Sequence, residues 1–111
     1  MSAVSGWQVA AALPEVSQGL HELILGDEVV LLVRRGDEIL AMQGLCPHTL
    51  ARLAEGQVDA AGWLHCPRHK ARFRVADGVC GSGWVLPPLR QYEVRVTDGM
   101  VLLPDPLTPL D

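Results

Sequence analysis

The 111-residue chain reads as a small all-β domain, and three observations carry that reading. Turn-forming pairs recur at short intervals: Gly26-Asp27, Gly36-Asp37, Ala61-Gly62, Asp77-Gly78 and Asp98-Gly99. Between them lie short runs rich in aliphatic and β-branched residues. No segment sustains a helical period, and only Leu13-Pro14-Glu15-Val16 has the makings of a single helical turn. Many short strands with frequent turns imply antiparallel sheets rather than a helical or α/β architecture.

The elements follow in order. Glu28 to Arg34 and Glu38 to Gln43 form a hairpin turning at Arg35-Gly36-Asp37. Trp63-Leu64-His65 is a short strand. Tyr92, Val94 and Val96 alternate with Glu93, Arg95 and Thr97, which predicts one half-buried strand, followed by a turn and the strand Met100 to Leu103. The tail carries Pro104, Pro106 and Pro109, cannot continue a central strand, and is expected along the surface. There is no internal repeat and no low-complexity stretch, so residues 1–111 are expected to form a single domain.

Composition removes several function classes. The formal net charge is −4, and no Lys/Arg cluster is large enough to neutralise a run of phosphates, so nucleic acid is not an expected partner. The longest aliphatic run, Val29 to Val33, is far too short to cross a bilayer, and no membrane association is expected. Met1 to Gly6 has neither a basic start nor an apolar segment of the kind a secretory leader needs. The chain has three cysteines, an odd number, and two of them neighbour histidines. That pattern points to metal binding in a reducing compartment rather than to a disulfide framework, so the cytoplasm is the expected location. A bound metal would also add to the stability of so small a core.

Two runs carry the chemistry: Cys46-Pro47-His48 and Cys66-Pro67-Arg68-His69. Each follows the end of an expected strand, so a rigid base can hold a loop tip close to solvent. Pro47 and Pro67 each fix a backbone angle and stiffen their loop. Together the runs offer two thiolates and two imidazoles, a donor set that suits iron or zinc. In Cys-x-His the two side chains can reach neighbouring metals but are poorly placed to chelate one. A structural zinc site would use the same residue types, but its ordinary spacing pairs Cys-x₂₋₄-Cys with His-x₃₋₅-His, which this chain lacks.

These residues and their flanks resemble the Rieske [2Fe–2S] proteins, most closely the small soluble ferredoxins. The resemblance runs from about Trp7 to Leu103. It includes both Cys/His runs, Leu53-Ala54-Glu55-Gly56, Phe73, Gly78 and the proline loop Leu86-Pro87-Pro88-Leu89. It implies a Rieske-type fold of small antiparallel sheets, with one [2Fe–2S] cluster per chain held by two loops at one tip and a cluster-binding portion of about 44–90. Carried over residue by residue, Cys46 and Cys66 would hold one iron through sulfur. His48 and His69 would hold the other through ring nitrogens, their outer edges offering the electron exit. Neutral histidines in place of two thiolates make the cluster less negative, which places such centres at roughly −150 to +300 mV.

Departures from the family narrow the class. Rieske proteins of respiratory complexes carry an extra cysteine in each loop, joined as a disulfide; the matching positions here are Ala51 and Arg68. Those proteins also aim a serine and a tyrosine hydroxyl at the cluster, where this chain has Ala71 and Phe73. Without those donors the potential is expected at the low end, on the order of −150 to −50 mV. Lys70 stands where the family commonly has glycine.

Other residues read more plainly. His65 precedes Cys66, and strand alternation turns it away from the cluster. His21 is a strand or surface residue, Cys80 a small packing residue, and Trp7, Trp63 and Trp84 belong to the core or its rim. Arg68, Lys70 and Arg72 form a basic group beside the second loop; each reads first as ordinary solvated charge, and the functional alternative is that together they orient an acidic partner. The resemblance implies a monomeric one-electron carrier between a flavin-dependent ferredoxin reductase and a terminal oxygenase such as a ring-hydroxylating dioxygenase. The carrier itself performs no catalysis, because no second catalytic constellation is present. The alternatives are a Rieske-like small subunit of an assimilatory nitrite reductase and a zinc-stabilised interaction module.

Overall fold

A computed structural model describes residues 6–47, 49–68, 71–83 and 85–110. Among these, ten strands form three sheets, every pairing antiparallel. The strands are β1 (Trp7–Ala12), β2 (Gly19–Leu25), β3 (Glu28–Arg35), β4 (Glu38–Gln43), β5 (Gln57–Val58), β6 (Trp63–His65), β7 (Arg72–Arg74), β8 (Gln91–Tyr92), β9 (Arg95–Thr97) and β10 (Met100–Pro104). The sheets run β1-β10-β9, β2-β3-β4-β8 and β5-β6-β7. Single 3₁₀ turns occupy Leu13–Glu15, as the Pro14 segment predicts, and Leu53–Glu55.

The central sheet is packed on both faces, and β3 shows why its sequence is so apolar. Val30 and Leu32 enter one core with Val16, Ala41, Tyr92, Val101 and Leu103. Leu31 and Val33 enter the other, with Met42, Leu53, Leu64, Phe73, Val75, Leu89, Cys46 and Cys66. A strand buried on both faces has no position left for a polar residue, so alternation becomes a continuous apolar run. Register keeps the faces matched: Leu31 stands opposite Met42, and Leu32 opposite Ala41. The second core lies between the central sheet and the small β5-β6-β7 sheet that carries the Cys66 run.

Three expectations need correction. Strands β1 and β2 were not evident from the sequence. Strand β3 extends to Arg35, which pairs with Glu38, so the hairpin turn is the two residues Gly36-Asp37. The single strand expected across Tyr92 to Thr97 is two: Tyr92 pairs with Ala41 of the central sheet, whereas Val96 pairs with Val101 of another. Pro104 ends β10 opposite Trp7, beyond the reach of β9, so its missing N–H breaks no ladder bond. The tail then runs along the surface and is tied back by a Leu110 N–H bond to the Gln91 carbonyl, 2.7 Å.

Candidate metal centre

Both cysteine runs sit on loops closed in the same way. Leu45 stands opposite Arg52 across the first loop, and His65 opposite Arg72 across the second. Inside these pairs the Cys46 N–H donates to the Ala51 carbonyl (2.9 Å), and the Cys66 N–H to the Ala71 carbonyl (3.0 Å). The two loops, 46–51 and 66–71, are therefore equivalent in length and closure. Cys46 and Cys66 are buried in one shared core while Thr49, Leu50, Pro67 and Arg68 are exposed. The sulfurs thus face inward and the tips face solvent. In the first loop Leu50 adopts φ 60°, and its N–H closes on the Cys46 carbonyl at 2.8 Å. Leucine rarely occupies that left-handed region, so the surrounding loop must hold it there.

The loops meet. Thr49 Oγ1 of the first lies 3.9 Å from Cys66 Sγ of the second, and also accepts the Ala51 N–H at 3.2 Å. This brings the Cys66 sulfur beside the Cys46 loop. His48 and His69 lie outside the described residues, as do Lys70 and Trp84. Two thiol donors on equivalent, converging, rigidly closed loops fit a cluster that takes two sulfur ligands from the protein.

Three struts hold the loops in place. Gln43, buried at the end of β4, donates to the Leu45 carbonyl (2.9 Å) and accepts the Arg90 N–H (2.7 Å). It joins the foot of the first loop to the end of the proline segment. Arg52 makes a two-pronged bond to Glu22 of β2, 2.6 and 3.0 Å. The Arg52 guanidinium holds the Glu22 carboxyl below its usual range. That pairing supports the loop at neutral pH and is lost as acid protonates Glu22 through the lowered value. The third strut is the turn at Leu53–Glu55, closed by the Gly56 N–H on the Leu53 carbonyl at 3.0 Å. Gly56 passes so close to the His65 carbonyl that a Cβ there would collide with it. A similar constraint seats the proline segment. Gly78 has φ 77°, its carbonyl accepts the Leu89 N–H at 2.9 Å, and a Cβ would strike the Leu89 carbonyl oxygen. Leu89 is buried in the core shared by both cysteines, and Leu86 packs against it.

Replacing Gln43 with leucine leaves the Arg90 N–H and the Leu45 carbonyl without their buried partner. Unfolding in urea is expected to show a loss of about 1–3 kcal/mol. No change in the midpoint would mean that the strut contributes nothing.

The remaining residues resolve as follows. His65 Nε2 lies 2.8 Å from Asp59 Oδ2, so His65 is engaged by the turn that joins β5 to β6. That bond, with the Trp63 and Ala61 N–H groups, holds the Asp59 carboxyl below its usual range. Arg72 is not a free surface charge: its guanidinium stacks over Trp63 at 4.8 Å and its Nε is buried. Of the expected basic group, Arg68 remains exposed and Lys70 lies outside the described residues. Cys80 stands opposite Phe73 at the edge of the cysteine core, its Sγ 3.5 Å from the Gly81 carbonyl. His21 of β2 bonds the carbonyl of Ser17, just before the strand, and Trp7 stacks under Arg95 at 4.1 Å.

The family model for the Rieske [2Fe-2S] domain matches residues 6–93, which spans both loops and the central sheet. The chain is a Rieske [2Fe–2S] protein. Its cofactor is a Rieske-type cluster, and the protein acts as an electron-transfer component rather than a catalytic subunit. This Rieske protein is 32% identical over 96 residues to the anthranilate 1,2-dioxygenase ferredoxin subunit of Burkholderia cepacia, covering 86% of this chain and 88% of that one. The ferredoxin in a solved complex of reduced oxygenase and oxidised ferredoxin of carbazole 1,9a-dioxygenase superposes with a TM-score of 0.82 at 27% identity, covering 96% and 98% of the two chains. A Mycobacterium tuberculosis protein described as the small subunit of an NADH-dependent nitrite reductase superposes with a TM-score of 0.74 at 27% identity, covering 87% and 92%. Among the described residues no helix is long and apolar enough to cross a membrane.

Gln43 and Thr49 were missed by sequence reasoning. A polar residue closing the apolar run Ile39 to Met42 was the signal for Gln43; Thr49 had none beyond its place inside the first loop.

Proposed function

We infer that this Rieske protein is a mobile, monomeric ferredoxin of the cytoplasm, taking one electron from a flavin-dependent reductase and delivering it to a terminal oxygenase of the ring-hydroxylating type. The observation that carries the reading is the pair of equivalent loops, each with its cysteine turned into one core and its tip turned to solvent. Cys46 and Cys66 would hold one iron, and His48 and His69 the other, within the portion of about 44–90 of a single domain. When bound, the cluster would supply a one-electron redox centre. The chain's own residues fix the sulfur donors, exclude water from them by burial, and leave Leu50 and Arg68 exposed at the tips for a partner. The relatedness to a dioxygenase ferredoxin over most of both chains supports the oxygenase partner. The likeness to a nitrite reductase subunit keeps a second reading, in which the same domain is a fixed part of a larger reductase.

Purified protein mixed with a flavin reductase and a ring-hydroxylating oxygenase separates the two. A shuttle is expected to restore oxygenase turnover while eluting as a monomer between encounters. Stable co-elution with a nitrite reductase large subunit, without oxygenase turnover, would overturn the shuttle.

A further inference from the structure

We propose that the Thr49 hydroxyl donates a hydrogen bond to the sulfur of Cys66, so that a residue of the first loop tunes a ligand carried by the second. The inference rests on the reading of Cys66 as a cluster ligand. Thr49 Oγ1 has one proton to give and lone pairs to receive. The Ala51 N–H, 3.2 Å away, takes an acceptor position on that oxygen and orients it. Cys66 Sγ lies 3.9 Å off, within reach of an O–H···S contact. A thiolate bound to iron is a better acceptor than a thiol, so loading strengthens the contact. A donor to ligand sulfur withdraws charge and stabilises the added electron, which raises the midpoint potential. The positions from which the high-potential relatives are expected to donate hold Ala71 and Phe73 here, neither with a hydroxyl. Thr49 therefore supplies from the first loop part of what those two positions cannot.

The test compares Thr49→Val with Thr49→Ser by redox titration of the reconstituted protein. Val removes the hydroxyl at similar volume, and Ser keeps it. The Val variant is expected to retain its cluster and to bind the electron roughly threefold to tenfold more weakly, a fall of about 30–60 mV for one electron. The Ser variant is expected to match the wild type. An unchanged midpoint in Thr49→Val, or an equal fall in Thr49→Ser, would overturn the proposal. Should the Val variant fail to take up its cluster, the wild type and Thr49→Ser decide the matter by resonance Raman in H₂O and D₂O. Both are expected to show a deuterium shift of the iron–Cys66 stretch, and its absence in the wild type contradicts the bond. Failure of the ligand reading registers separately, as a cluster that survives in Cys66→Ala.

Discussion

Cys66→Ala protein reconstituted with iron and sulfide is expected to hold almost no cluster, and Cys46→Ala the same, while Cys80→Ala keeps its full visible absorbance. On the proposed ligand assignment, each of the first two removes an anionic donor from a set of four. The loss should exceed the roughly 10–100-fold fall in affinity that follows loss of an outer partner. Alanine fits both positions without strain, because each cysteine lies in a core already lined by Ala51 and Ala71. The folded sheets should therefore persist while the cluster does not, and far-ultraviolet circular dichroism checks the first as absorbance checks the second. Cys80 stands beside the same core but outside both loops, so it controls for thiol loss in general. Full absorbance in Cys66→Ala would remove the ligand assignment.

Phe73→Ala is expected to have the largest effect on the fold itself. Phe73 is fully buried, stands opposite Leu64 on β6, and shares its core with both cysteines. Truncating a buried phenylalanine costs about 3–5 kcal/mol, against a total stability of roughly 5–15 kcal/mol for a native domain. The apoprotein is expected to melt more than about 10 °C lower and to take up its cluster slowly, since the second loop loses its floor. A melting temperature within a few degrees of the wild type would show that the β5-β6-β7 sheet is not supported through this ring.

What the sequence disclosed follows from where side chains are forced to be. Strand β3 was legible because packing on both faces leaves the unbroken apolar run Val29 to Val33 between two Gly-Asp turns, and β4 because it follows the second of those turns as the other arm of the hairpin. Strand β1 was not, because its Ala10-Ala11-Ala12 segment has little strand preference and is held by pairing of Val9, Ala11 and Ala12 with β10 around a bulge at Ala10. In β2, Leu20, Leu23 and Ile24 fall at i, i+3 and i+4, the spacing of a helix rather than the alternation of a strand, and pairing with β3 imposes the extended form. The break between β8 and β9 was hidden because alternation runs through it unaltered. Nothing in Tyr92-Glu93-Val94-Arg95-Val96 marks the change of sheet, although Val96 is 47% exposed where Tyr92 is buried. At the site, cysteine and histidine announce themselves by residue type and spacing, which is why both loops could be named at once. Gln43 and Thr49 act through single polar atoms placed by the fold, and a lone amide or hydroxyl carries no pattern to read.

Mixed cysteine and histidine ligation is the claim on which the rest depends, and the midpoint potential of the reconstituted wild-type protein tests it most directly. A one-electron titration should place it on the order of −150 to −50 mV. A midpoint near −400 mV, the value for clusters held by four cysteines, would contradict the ligand set, as would a colourless protein that binds zinc and takes up no electron.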